Sequence, residues 1–125
     1  MEARLRKRVI EVIEDVAERH NIGVTRLLSR GTKRVDFIPR QEAMYEVFIQ
    51  CPHRSLPQIG ADFGGYDHST VRHNIATHAR RLGLTYEDAQ VMSGRYGRYG
   101  LPSMPPVAYL ASKYGPVMRE AMNHV

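Results

Sequence analysis

The run Asp67-His68-Ser69-Thr70 puts a carboxylate, an imidazole and two hydroxyls directly behind the turn Gly64-Gly65-Tyr66. Side chains of this kind suit four chemistries: metal ligation, a phosphate cradle, acid–base catalysis, or the reading of base-pair edges. Metal ligation fits poorly. His68, His73 and His78 are spaced by five, which scatters them around a helix, and CxxC and HxxxH pairs are both absent. Glycines before a helix N-terminus can hold an anion, but a lone pair is a weak signal. No Ser-His-Asp arrangement, metal cluster or phosphate-cradling loop can be assembled around these residues. The expectation is therefore no enzyme, no cofactor and no metal.

Reading base edges needs short side chains held by a helix, with donors and acceptors matched to the groove. An aspartate accepts from cytosine N4, a histidine can donate to guanine, and a threonine methyl packs on thymine. The residues after Asp67 supply such a helix. Val71, Ile75, His78 and Leu82 share a narrow stripe assigned to the core, with His78 as a buried, hydrogen-bonded histidine. Ser69, His73, Ala76 and Arg80 lie on the opposite side, three polar side chains around a small one that permits close approach. That face suits a helix laid into a groove.

The neighbouring pattern must hold this helix in place. Ser55 and Gln58 make a capping box that opens a short helix with Leu56, Ile59 and Phe63 on one face. Gly64-Gly65-Tyr66 makes a tight turn, and Asp67 caps the second helix. Two helices joined this way describe a helix-turn-helix. Upstream, residues 2–20 read as an amphipathic helix carrying Leu5, Val9, Val12, Ile13 and Val16. Thr25 is expected to cap a short helix with Leu27 and Leu28, ended by Gly31. A long helix begins near Asp36, with Pro39 in its first turn and Ala43, Met44, Val47 and Phe48 apolar. Thr85 and Asp88 open one more short helix, to about Met92. The fold class is all-α.

The stretch around "GGYDHSTV", together with "GVTRLLSR" and "PRQEAMY" upstream, resembles the C-terminal DNA-binding domain of the bacterial replication initiator DnaA. The family signature runs close to "LxEIGxxFGGRDHTTV", and the likeness covers residues 2 to about 82. The resemblance implies a stand-alone, all-helical domain that reads a short asymmetric DNA site, the DnaA box. It implies base contacts from Asp67, His68, Ser69 and Thr70, and phosphate contacts from Arg40, Gln41 and His73 and from backbone groups near Leu56 and Pro57; Arg72 is a further expected phosphate contact. It also implies a minor-groove arm, here Lys33 and Arg34. Several departures bear on site preference. Tyr66 stands where the family usually has arginine, Ser69 replaces a common threonine, Thr32 aligns with the minor-groove arginine, and the loop "CPHRS" is one residue longer. A Walker A motif is absent from the sequence, so ATP-driven remodelling is not expected.

The bulk numbers agree with this reading. The chain has 125 residues, a net charge of +5 and a pI near 9.7, a balance that favours polyanionic partners. Its single cysteine, Cys51, fits a reducing cytosol, and the expected place is the cytoplasmic nucleoid. No apolar run is long enough for a bilayer, so no membrane partner is expected. Residues 1–92 are assigned to the helix-turn-helix domain and 93–125 to a linker and tail. The tail, with Tyr96, Tyr99, Tyr109, Tyr114, Met104, Met118 and Met122, is the expected site of a homodimer or protein contact. The competing reading makes the tail's partner the main function and DNA binding secondary.

Overall fold

A computed structural model describes residues 8–29 and 37–95. Lys33, Arg34, Asp36, Gly31, Leu5 and the whole tail from 96 onward lie outside the described residues, as do the expectations placed on them. The described chain is all-helical. In order it runs α1 (Val9–Arg19), α2 (Val24–Leu28), α3 (Phe37–Gln50), α4 (Leu56–Asp62), α5 (His68–Arg81) and α6 (Tyr86–Met92).

Helix α3 is the axle. Ala43 through Phe48 are all buried, so its middle is enclosed on every side rather than along one stripe. Tyr45, Phe48 and Met44 pack with Val12, Ile13 and Val16 of α1, Ile59 of α4, Phe63, and Val71 and Ile75 of α5. Glu46 is buried in that middle and accepts from Gln50 Nε2 at 2.6 Å, one turn on. Burial and the nearby Glu46 and Asp88 hold the Tyr45 phenol far above its usual range, so it stays neutral.

Local signals set most boundaries. The Ser55 side chain accepts from Gln58 N–H at 3.2 Å, and Gln58 Oε1 accepts from Ser55 N–H at 2.9 Å. Thr85 and Asp88 repeat the arrangement at α6. One expected cap is corrected. Thr25 lies inside α2, and Gly23 occupies the N-cap position without any side-chain hydrogen bond. The Gly23 carbonyl accepts from Leu27 N–H at 3.0 Å, so the backbone turns into the helix two residues before Thr25.

The joint between α4 and α5 is set by close approach. The Gly60 carbonyl accepts from Gly65 N–H at 2.9 Å and from Tyr66 N–H at 3.1 Å. Gly64 and Gly65 close the turn at φ of +101° and +106°, a region that glycine enters without strain. A Cβ on Gly60 would lie 1.9 Å from the Tyr66 carbonyl oxygen, a backbone atom that cannot step aside. Gly60→Ala is therefore expected to destabilise the domain by about 3 kcal/mol. Gly23→Ala, with open space around its Cβ, should stay within about 0.5 kcal/mol. Denaturant unfolding of both variants checks the contrast.

Candidate nucleic-acid interface

The amino end of α5 is built from its own first residues. Asp67 is extended, at φ −76° and ψ 165°, and its Oδ1 accepts from Thr70 N–H at 2.8 Å. That hydrogen bond, with a second from the Thr70 side chain and the nearby His68, holds the carboxyl below its ordinary value. Asp67 is thus ionised and faces solvent at the positive end of the helix. His68 and Ser69 are exposed beside it, and Thr70 is half-buried. The structure therefore brings Asp67, His68, Ser69 and Thr70 together on one outward turn.

The rest of α5 divides as its angles require. Val71 and Ile75 are fully buried, His78 is 7% exposed, and Leu82 is half-buried. Ser69, His73 and Arg80 are exposed, with Ala76 half-buried between them. His78 meets the Tyr45 ring at 5.0 Å between centroids, and Arg81 Nη1 lies 3.4 Å from its Nδ1. Burial is the main cause that pushes His78 below the ordinary histidine value, which makes it a neutral core group.

The residues expected around this turn fall into two groups. Pro57 and His73 are exposed and Leu56 is half-buried, which leaves the start of α4 open on the surface next to the turn. Arg72 is exposed, with its guanidinium carbon 4.9 Å from the Tyr86 ring centre. Arg40 and the half-buried Gln41 instead have partners within the protein. Arg40 is 4% exposed; its Nε donates to the Leu27 carbonyl at 3.2 Å and its Nη2 to the Ser29 carbonyl. Gln41 accepts from Arg81 and donates to Asn74 Oδ1 at 3.3 Å, fastening α3 to α5.

Two contributors to the geometry escape a reading of local pattern. Gly60 sits in mid-helix, and only the approach of Tyr66 explains it. Arg95, expected within a linker, folds back instead. It donates to the Phe48 carbonyl at 3.3 and 3.2 Å, to Cys51 at 2.8 Å and to Arg54, and it covers the Phe48 ring at 4.3 Å. Ser93 is buried as well. Arg54, in turn, pairs with Asp62 at 2.6 and 3.1 Å and fixes the loop that leads into α4. Burial pushes the Cys51 thiol above its usual value and leaves it unreactive. Among the described residues no group of His, Cys, Asp or Glu could hold a metal ion, and no helix is long and apolar enough to cross a membrane.

Comparison with known proteins decides the family. The model for the bacterial DnaA protein helix-turn-helix matches residues 9–77, from the start of α1 well into α5. The chain belongs to this family. Curated relatives include the chromosomal replication initiator protein DnaA of Mesorhizobium japonicum, 44% identical over 70 residues, which are 56% of this chain and 14% of that protein. The DnaA of Cereibacter sphaeroides is 47% identical over 73 residues, covering 56% of this chain and 15% of that protein. The chain thus spans about one seventh of the length of the initiators it matches. No solved structure gave a significant match. A DnaA helix-turn-helix is a DNA-binding fold, and the matched residues take in α4, the turn and most of α5.

The Asp67 cap has a testable pH signature. The folded-state pKa lies below the unfolded one, so its stabilisation is present above the unfolded value and is lost as pH falls through the folded one. Asp67→Ala should lower the melting temperature at neutral pH, and the deficit should narrow as pH falls below the ordinary aspartate value of about 3.9. Asp67→Asn, which caps without charge, should keep most of the stability at both pH values.

Proposed function

We infer that the chain is a sequence-specific double-stranded DNA-binding protein, acting as a transcriptional regulator or as a competitor at DnaA-box-like sites. The observation that carries this reading is the outward first turn of α5, where an ionised carboxylate, an imidazole and the Ser69 hydroxyl face solvent beside a half-buried Thr70. In the proposed complex Asp67, His68, Ser69 and Thr70 read base edges in the major groove. His73, Gln41, Arg72 and the backbone at Leu56 and Pro57 touch phosphates, and these contacts fix the register. Arg40 adds its charge from beneath the carbonyls it braces, and Lys33 and Arg34 are the proposed minor-groove arm. Catalysis has no part in this reading. The resemblance that implies these roles is supported by the family match and by the relatives' name as replication initiators.

Tyr66 and Ser69 give this chain its own site preference within the family's. Ser69 offers no methyl to a thymine, and Tyr66 offers a phenol where the family usually has a cation. A nucleoid location accords with the partner, and the tail is the proposed place for a second copy or a protein partner.

Selection of duplexes from a random pool, with the full chain and with a chain ending at Arg95, tests the reading. A shared short motif from both is expected, since α6 and Arg95 belong to the packed domain. On that motif His68→Ala should lose about 1–3 kcal/mol of preference at particular base pairs. His73→Ala should weaken matched and scrambled duplexes alike. Equal loss on both duplexes for His68→Ala would contradict base reading.

A further inference from the structure

Helix α5 carries three arginines, and the structure gives each a different employment. Arg81 is tied to Gln41 and lies against His78, so its charge serves the α3–α5 joint. Arg72 rests over the Tyr86 ring at the edge of α6. Arg80 stands on the same face as Ser69 and His73 and is exposed. Among the described residues no carboxylate is bridged to it, in contrast with Arg8, Arg19 and Arg54, which face Glu11, Glu42 and Asp62.

Its direction is also set. The Thr77 hydroxyl donates to the His73 carbonyl at 2.8 Å, which fixes the oxygen on the exposed side of the helix. Arg80 Nη2 donates to that oxygen at 3.3 Å. The guanidinium is thereby drawn back along α5 toward His73 rather than left to sweep freely. Arg72 and Arg81 have no such guide on this face.

Distance then says what Arg80 would meet. From Ser69 to Arg80 the axis climbs about 17 Å at ~1.5 Å per residue. The major groove is only about 12 Å wide. A helix whose first turn lies on base edges therefore brings its last turn to the wall of the groove, where phosphates line the rim. A planar guanidinium with paired N–H donors suits a phosphate better than any other side chain.

We propose that Arg80, guided by the Thr77 hydroxyl, binds a backbone phosphate on the groove wall beyond the base-reading turn. The contact adds affinity and sets how deeply α5 sits, without choosing sequence. It rests on the DNA-binding reading above, and the test separates the two. Binding of the full chain to its selected duplex is measured across a salt series for the wild type, Arg80→Ala and Arg80→Lys. For Arg80→Ala the slope of log K against log salt should become shallower by about 0.9, with binding at low salt weakened roughly 3- to 10-fold on matched and scrambled duplexes alike. Arg80→Lys keeps the charge and should restore the slope. Arg80 is exposed, so the melting temperature should not move, which distinguishes a lost phosphate from a damaged fold. A wild type that binds normally while Arg80→Ala keeps both its slope and its affinity would overturn the Arg80 contact alone. A wild type that binds no duplex would overturn the DNA reading, and this contact with it.

Discussion

The arrangement depends on how closely two backbones meet between α4 and α5. Gly60 lets the Tyr66 carbonyl approach to a distance that any side chain would forbid, and its own carbonyl takes two N–H groups from the turn. The glycines at positive φ then send the chain out at a fixed angle. Because those contacts are between main-chain atoms, the angle is largely independent of surface side chains. Val71, one turn into α5, packs within 3.3 Å of the same Gly60 Cβ position, so the turn and the core are one construction. Asp67 follows that turn facing outward, and the hydrogen bonds it accepts from Thr70 keep its carboxylate ionised.

A second layer of constraint comes from long side chains that satisfy helix ends across the molecule. The last carbonyls of a helix have no partner within it. Arg40 supplies donors to the end of α2, and Arg95 does the same at the end of α3. The Arg95 guanidinium also lies over the Phe48 ring. These arginines contribute to the basic composition without adding to an exposed charged face. The net charge of +5 is therefore a poor map of where a polyanion would sit. The exposed arginines of α5 are a better one.

Legibility followed the range of the interaction. The two capping boxes, the Asp67 cap and the Val71–Ile75–His78 stripe depend on residues within a few positions of one another, and the sequence shows all of them. Thr25 was misleading because a capping side chain is not required where the backbone of Gly23 already makes the turn. Arg40, Gln41 and Arg95 look like solvated polar residues in the sequence. Their acceptors lie as many as 47 positions away, and only the fold brings those acceptors within reach. Gly60 is silent for the same reason, since what it accommodates is a neighbour's carbonyl.

DNA reading by this domain requires the first turn of α5 to lie against the bases. A crystal structure of the chain with its selected duplex tests that placement most directly. Side-chain atoms of His68, Ser69 and Thr70 are predicted within about 3.2 Å of base edges in the major groove. A complex in which that turn faces solvent, while some other face of the domain holds the duplex, would contradict it.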